Sequence, residues 1–348
     1  MASLYTICKL GSLLEKAACW FLHSGIQEPS GGIARYHRSD TATNAPVSNE
    51  ITGYGVSTFA FLHARTGRAE YLEAARRSAD FLTNTAWSAA HATFPFEPDV
   101  PLAYFFDLGI IARGLLSAAR ATGESAYRER AQDAALSLAF DFLGEGFFHP
   151  VIALPDKQPL PPEPRWSRRP GCFQLKAALI WRELDDPHAA RMFDMALAMA
   201  LATHETFLEG EPDRAKLMDR LHAYCYFLEA LLSTSERDVL ASGISRTANL
   251  LREIAPEFER SDVSAQLLRI RLIADHAGLV PLDATAAAEE AERAAVFQIA
   301  DGGFWFGRRG GVMLPFANPV STAFCAQALT LWDDHQSGRW SFELAELI

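Results

Sequence analysis

One stretch of the chain combines an acid, an imidazole and phenols inside an otherwise apolar segment. It runs from Asp219 to Tyr226 and has the sequence DRLHAYCY. Asp219, His222 and Tyr226 are three and four residues apart, so in a helix they share one face. Facing a cavity, such a set could remove a proton next to a carboxylate group and return it, as an epimerase or a lyase does. The same residues could instead form a hydrogen-bonded seam that fixes helix packing, and the sequence leaves both interpretations open.

Carboxylates also occur near the start of other apolar segments that we predict to be buried helices. Burial and neighbouring charges would set the pKa values of such groups. Two of them would suffice for glycoside hydrolysis, with their separation deciding the stereochemistry. A structural role competes, because Asp262 and Asn318 also fit the preferred N-terminal caps of helices. The general acid/base candidates, including two assisting tyrosines, are Glu50, Tyr54, Asp107, Asp219, His222 and Tyr226.

Arginine carries most of the positive charge of the chain. Only five of the 32 basic residues are lysines, and the planar guanidinium group suits carboxylate or phosphate ligands. Several arginines lie beside aromatic residues in predicted loops, where flat rings could stack on sugars. Alternatively, these arginines pair with the chain's own acids, such as Glu163 and Asp262, and the rings pack the loops onto the helices. The predicted substrate-binding residues are Arg35, Tyr36, Tyr104, Arg165, Trp166, Arg168, Arg169, Gln174, Lys176, Asp262, Trp305, Arg308 and Arg309.

The five cysteines do not form a recognisable framework. No pair has the CxxC spacing, so we expect neither a set of disulfides nor a zinc site. Cys172 follows two arginines at a predicted helix start, which would lower the pKa of its thiol. It could therefore be a nucleophile with His149 or His222 as base, although buried, inert cysteine is the commoner outcome. Phosphate-binding, dinucleotide-binding, zinc-protease and serine-hydrolase motifs are absent from the sequence, and we expect no metal and no cofactor.

A repeated segment indicates how these residues are positioned. The segments His63–Leu82 and Ser117–Leu143 both contain Thr-Gly followed by Tyr after three residues, and both end in Asp-Phe-Leu. A glycine in this place ends one helix as a C-terminal cap, and the next helix begins at once. Each segment therefore predicts two antiparallel helices joined by a tight turn.

Extending this pattern along the chain predicts six helical hairpins. Six helices are apolar on nearly all sides and belong inside; more amphipathic helices follow five of them, and a helix at about residues 2–24 supplies the twelfth. We therefore predict an all-α (α/α)6 barrel that forms a single domain over residues 1–348. The predicted inner helices are Glu50–Arg65, Ala103–Ala121, Gly171–Glu183, Asp219–Leu232, Asp262–Ala277 and Pro319–Asp333.

The predicted loops are unequal in length. Those that lead from an outer to the next inner helix are mostly long and cover residues 25–49, 84–102, 144–170 and 301–318. In an alternating barrel such loops share one face, together with the N-termini of the inner helices. Because long loops in compact domains are usually functional, we place the candidate site at this face.

Two motifs resemble those of known helical toroids. The sequence EITGY at 50–54 and the repeated Thr-Gly-x-x-x-Tyr are similar to sequences in the (α/α)6 toroids of carbohydrate-active enzymes. These include unsaturated glucuronyl hydrolases and the helical domain of glucuronyl C5-epimerases. The resemblance implies a hydrolase, lyase or epimerase that acts on an acidic sugar or oligosaccharide. It assigns no catalytic residue.

Alternative functions come from other classes of protein. Gln298 followed by DGGF at 301–304 resembles the repeat of terpene-cyclase toroids, but it occurs once, and the acidic cyclisation motif of that family is absent. A terpenoid- or prenyl-handling enzyme is therefore disfavoured. A toroid that binds a glycan or lipid without catalysis would have its acids engaged as caps and ion pairs, leaving a pocket lined by aromatic rings.

The amino-acid composition limits the classes of partner that we expect the chain to bind. The 348 residues are 49% hydrophobic and carry a formal net charge of −11, which argues against disorder and against binding nucleic acid. No apolar run is long enough to span a bilayer, and the N-terminus has the pattern of an amphipathic helix and not of a signal peptide. We expect a cytoplasmic protein, without membrane contact, that binds an anionic small molecule or oligosaccharide. The sequence does not indicate an oligomeric state.

Overall fold

The computed structural model describes residues 12–184 and 186–348, and helices dominate this part of the chain. Contacts divide the chain into two compact units. The first unit comprises residues 27–33 and 47–209, and the second comprises the described residues up to 26, 34–46 and 210–348. The helices are α1 (Leu13–His23), α2 (Asn49–Thr66), α3 (Ala69–Phe81), α4 (Phe105–Thr122), α5 (Ser125–Asp141), α6 (Gln174–Glu183), α7 (Pro187–Thr203), α8 (Arg214–Leu231), α9 (Arg237–Ile254), α10 (Ser261–His276), α11 (Ala284–Ala295) and α12 (Pro319–Ser337).

The first unit consists of three helical hairpins, α2–α3, α4–α5 and α6–α7. As the repeat predicts, Gly67 ends α2 and Gly123 ends α4, both in the left-handed conformation with φ values of +67° and +78°. Their N–H groups donate to the carbonyl oxygens of His63 and Ala119, at 2.8 and 2.9 Å. The predicted hairpin turns are therefore confirmed.

Glycines set the close approach of α2 and α4. A Cβ atom on Gly114 would lie 2.4 Å from the carbonyl oxygen of Gly53, and one on Gly53 would lie 2.8 Å from the Cα atom of Ile111. These distances are too short for any side chain, and the obstructing atoms are backbone. The backbones of these two helices therefore meet directly.

In the second unit, α8, α10 and α12 are buried almost all round, as predicted for inner helices. Helices α9 and α11 pack against α10, and α1 packs against α12. The sequence predicts a first helix from about residue 2, and the part of this prediction before residue 12 lies outside the described residues. In the described residues, α1 packs against α12, the last long helix of the chain.

The starts of the inner helices differ in detail from the predictions. Asn318 caps α12 as expected, with its Oδ1 accepting from the N–H groups of Val320 and Ser321. Asp262 is not a cap, because α10 begins at Ser261 and the carboxylate of Asp262 binds an arginine instead. Helix α8 begins at Arg214, capped by Asp213, so Asp219 lies in its second turn.

The long segments between helices contain short antiparallel strands where the sequence predicted only loops. In the first unit β5 pairs with β6 and β6 with β7. In the second, β9 lies between β8 and β10, and β2 lies between β3 and β11. The strands are β1 (Ile33–Ala34), β2 (His37–Arg38), β3 (Thr43–Asn44), β4 (Val47–Ser48), β5 (Leu102–Tyr104), β6 (Val151–Ala153), β7 (Gln158–Pro159), β8 (Phe258–Arg260), β9 (Gly307–Arg309), β10 (Val312–Met313) and β11 (Phe316–Ala317).

The cysteines only partly follow the predictions. Cys19 forms a disulfide, so the expectation that the chain has none is wrong. Cys172, Cys225 and Cys325 are buried and are not part of a disulfide. Full burial of Cys172 removes the access that a nucleophile needs. Among the described residues, no helix has the length and apolar character needed to cross a membrane.

The close approach of α2 and α4 generates a stability prediction. Gly114→Ala places a methyl group against the backbone of Gly53, which cannot move aside, so we expect a loss of about 1–3 kcal/mol in the free energy of unfolding. Gly243→Ala is the matched control, because its Cβ would meet the flexible end of Leu228. Denaturant titration of both variants measures the difference. A Gly114→Ala variant as stable as the control would contradict direct backbone contact.

Candidate functional site

The inner helices of the second unit bring a line of polar side chains together. On α8 the predicted face continues through one further acid, with spacings of three, four and three residues. On α10 an acid, an amide and an arginine follow each other at four and three residues, which also places them on one face. We call this set, together with two residues of α12, the polar seam: Asp219, His222, Tyr226, Glu229, Asp262, Gln266, Arg269, Ser321 and Gln327.

Arg260, at the end of β8, holds two carboxylates of the seam. Its Nε and Nη2 donate to the two oxygens of Asp262 at 2.9 and 2.7 Å, and its Nη1 donates to Asp219 Oδ1 at 2.8 Å. The guanidinium group also lies 4.5 Å from the centre of the Phe306 ring. Arg260 and Asp262 are buried, whereas the Asp219 side chain is 47% exposed. Such planar, two-pronged pairing orients both groups.

The ion pair determines the charge of Asp262. Burial is the largest effect on this carboxyl and acts to raise its pKa. The charge of Arg260, the neighbouring His222 and the hydrogen bonds from Arg260 and the backbone of Val263 together outweigh burial, so the pKa of Asp262 falls below its ordinary value. The negative charges of Asp262 and Asp219 in turn keep Arg260 protonated. Both members of the pair are therefore charged inside the protein.

His222 lies next to this pair and is held by an amide. Its Nδ1 is 2.7 Å from Gln266 Oε1 and 3.9 Å from the nearer oxygen of Asp262. An amide oxygen only accepts, so Nδ1 carries the proton and Nε2 has the free lone pair. The Tyr226 ring packs edge-on against the His222 ring, with 4.6 Å between the two ring centres. Burial, and then the charge of Arg260, lower the pKa of His222 to about 4.

A second buried ion pair closes the inner end of the seam. Arg269 Nε donates to Glu229 Oε1 at 2.7 Å, and its Nη1 donates to Gln327 Oε1 at 3.1 Å. Both charged side chains are fully buried. The guanidinium lies 3.8 Å from the centre of the Phe324 ring, which in turn lies 6.4 Å from the His222 ring. Phe324 thus separates the inner ion pair from the imidazole.

The first unit holds a separate group of predicted residues. Arg168 lies 5.4 Å from the centre of the Tyr104 ring, and Trp166 packs edge-on against Phe173 at 5.0 Å. The pKa of Tyr104 is raised above its ordinary value, mainly because the side chain is partly buried. The charge of Arg168 acts to lower this pKa, and that of Asp107 acts to raise it. The structure thus brings Tyr104, Asp107 and Arg168 together, and an aromatic ring beside charged groups suits the stacking of a ring-shaped ligand.

Several predicted anion-binding arginines are engaged within the chain. Arg168 donates to Glu163 Oε1 at 3.2 Å, and Arg308 donates to Glu259 Oε2 at 2.8 Å. Glu259 and Arg308 are directly paired across β8 and β9. Since side chains alternate along a strand, they lie on the face opposite to Arg260. Arg168 and Arg308 therefore pair with the chain's own acids, which is the alternative that the sequence left open.

Other predicted site residues lie outside the seam. Gln174 is fully buried, where its side chain accepts from Gly171 N and donates to Phe148 O at 3.0 and 3.1 Å. Lys176 is fully buried in α6, and the Tyr36 ring packs against Phe316. The following lie half-buried or exposed outside the seam: Arg35, Glu50, Arg165, Arg169, Trp305 and Arg309. Tyr54 is buried in α2.

Sequence reasoning missed the residues that organise His222. Arg260 stands two residues before the predicted inner helix Asp262–Ala277, but nothing in the sequence indicates that it binds two carboxylates. Gln266 was not singled out, although its position four residues after Asp262 places both side chains on one face of α10. Searching the predicted inner helices for polar residues at this spacing would have found Gln266, Glu229 and Arg269.

No family model and no curated protein sequence matches the chain. The chain is similar to the solved structure of cellobiose 2-epimerase from Spirochaeta thermophila, with a TM-score of 0.70 and 14% identity over 96% of this chain and 98% of that one. It is also similar to a D-mannose isomerase, with a TM-score of 0.68 and 12% identity over 96% of this chain and 98% of that one. An unsaturated glucuronyl hydrolase specific for heparin matches with a TM-score of 0.66 and 13% identity over 93% of this chain and 97% of that one. The likeness shows that the chain has the predicted all-α (α/α)6 toroid fold.

Acid should destabilise the fold through His222. Its pKa is about 4 in the folded chain and near 6.5 in an unfolded one. Between these values only the unfolded chain binds the proton. The contribution of neutral His222 to the free energy of unfolding is therefore complete above pH 6.5, and up to about 3 kcal/mol of it is lost as the pH falls towards 4.

We expect His222→Asn to flatten this part of the pH dependence, whatever its effect on stability at neutral pH. Urea unfolding of both proteins at about pH 7 and about pH 4.5 measures the difference. Equal losses of stability in the two proteins would show that His222 is not the responsible group.

Proposed function

We propose that the protein is an enzyme that moves a proton at the carbon next to the carbonyl of a reducing sugar, as an isomerase or a 2-epimerase does. The observation that carries this proposal is the uncharged, buried His222, whose Nδ1 is bound to Gln266 Oε1. Its Nε2 is the nitrogen that can accept a proton from carbon. The toroid fold, similar to solved structures of an epimerase and an isomerase, supports a sugar as the substrate.

His222 acts as the base in the proposed reaction. Its Nε2 takes the proton from C2 of the open-chain sugar, and the electron pair of the C–H bond forms an enediolate. For aldose–ketose interconversion the imidazolium returns the proton to C1, while the proton of O2 moves to O1. For epimerisation the enediolate first turns its other face to the imidazolium, which then returns the proton to C2. Negative charge developing on the enediolate beside the ring raises the proton affinity of His222 during the transfer.

The carboxylates of the seam favour this chemistry over glycoside hydrolysis. Hydrolysis with two carboxyl groups needs one of them protonated at neutral pH, with a raised pKa, as the general acid. The pKa of Asp262 is lowered instead, and both Asp262 and Asp219 bind Arg260. Asp219, which is half-exposed, is better suited to accept hydrogen bonds from sugar hydroxyl groups.

The ion pairs also bear on the charge of the ligand. The expected anion required arginines that could bind it, but Arg168, Arg260 and Arg308 are paired with acids of the chain. Arg260 lies between two carboxylates, so this end of the seam carries net negative charge. We therefore propose an uncharged reducing sugar as the first substrate to test, with uronates as the comparison.

Exchange with solvent deuterium tests the proposed reaction. The protein is incubated in D2O with mannose, fructose, glucose, cellobiose and glucuronate, and NMR follows deuterium at C1 and C2 as well as new sugars. We expect exchange with at least one neutral sugar, and a loss of about 10²-fold or more in His222→Ala, since general-base catalysis contributes at least that much. His276→Ala, which changes an exposed histidine at the end of α10, is the matched control.

The absence of deuterium exchange with every sugar tested would overturn the proposal, and so would either of two other outcomes. One is deuterium exchange that persists in His222→Ala at the rate of the control. The other is release of a reducing sugar from an oligosaccharide without any incorporation of deuterium, which would favour hydrolysis.

A further inference from the structure

We propose that Gln266 is a positioning residue that holds His222 in the tautomer with hydrogen on Nδ1 and so presents Nε2 as the proton acceptor. The effect on turnover rests on the function proposed above. The tautomer itself is a property of the unliganded protein and can be measured without any substrate.

Competition between two acceptors carries the inference. The Nδ1 atom of His222 lies between an amide oxygen at 2.7 Å and a carboxylate oxygen at 3.9 Å. The carboxylate of Asp262 is already bound through both oxygens by the fork of Arg260. The ion pair thus keeps Asp262 away from the ring, and the neutral amide of Gln266 takes the proton of Nδ1.

A neutral acceptor leaves the imidazole uncharged. A carboxylate bound to Nδ1 would stabilise the imidazolium form, whereas an amide adds no charge. The charged groups around His222 are Arg260 from β8, Asp262 from α10 and Glu229 from its own helix. The rings of Tyr226 and Phe324 also pack near the imidazole, and Tyr226 carries a phenol that acts on Arg260. Burial and Arg260 therefore dominate, and the free lone pair of Nε2 persists at neutral pH.

The choice of an amide at this position supports a specific role. Gln266 is fully buried, and its Nε2 has no hydrogen-bond partner within the described part of the chain. A buried donor without a partner costs stability that an apolar side chain of similar size would avoid. Packing alone would favour methionine or leucine. What the amide adds is the acceptor for His222.

Nitrogen NMR of the unliganded protein, labelled with 15N-histidine, reads the tautomer directly, and His222→Asn identifies the signals. In the wild type we expect the hydrogen on Nδ1. Gln266→Met removes the acceptor and should give a mixture of tautomers or the Nε2–H form. Gln266→Glu restores an acceptor; it should keep the Nδ1–H form and move the His222 titration upward by about one to three pH units.

Thr247→Val is the control for general loosening of the core. Thr247 is a fully buried polar residue of α9 in the same unit, outside the polar seam, and its replacement should leave the His222 tautomer unchanged. An Nε2–H form in the wild type, or a Gln266→Met spectrum identical to that of the wild type, would overturn the proposal.

Kinetics separates this inference from the proposed function. If deuterium exchange occurs, Gln266→Met should lower kcat by about tenfold or more with little change in KM, because a misplaced proton affects the transfer and not ground-state binding. The acid limb of kcat/KM should move upward in Gln266→Glu. If the wild type exchanges no deuterium but shows the expected tautomers, the proposed function fails and the positioning role stands.

Discussion

The placement of Arg260 between Asp219 and Asp262 is the interaction on which the site depends. Because its planar fork occupies both oxygens of Asp262, it removes a carboxylate that would otherwise bind His222. Its positive charge then disfavours a second positive charge on the nearby ring. Together with burial, one arginine thus decides that Asp262 is ionised and that His222 is neutral. Without it, the same histidine and aspartate would form a charged pair with different chemistry.

Buried charge recurs at the other end of the seam, where Arg269 and Glu229 are fully enclosed. Buried ion pairs of this kind seldom add net stability compared with apolar side chains, but losing one partner leaves an unpaired charge inside the protein. The helices α8, α10 and α12 are consequently tied to one arrangement. That arrangement holds Phe324 against the guanidinium of Arg269 and keeps His222 and Gln266 within hydrogen-bond distance.

The fold alone does not choose the reaction, since the structures to which the chain is similar carry the names of an epimerase, an isomerase and a hydrolase. The reaction proposed for this chain rests on the charge states of the seam. A carboxyl with a lowered pKa cannot serve as the proton donor of a glycosidase, whereas a neutral, oriented imidazole can take a proton from carbon. One fold can host different chemistry, so the reaction has to be inferred from the residues of the site.

The sequence by itself determined the helices and their inside or outside position, because hydrophobic periodicity and the glycine caps at Gly67 and Gly123 are local signals. It also placed Asp219, His222 and Tyr226 on one face, since helical spacing is fixed by geometry. Only the tertiary structure decided which groups meet across helices. Arg260 and Asp219 are 41 residues apart and His222 and Gln266 are 44, and such distant contacts leave no periodic trace in the sequence. Burial, which shifts the pKa of His222, likewise arises only when the chain is packed.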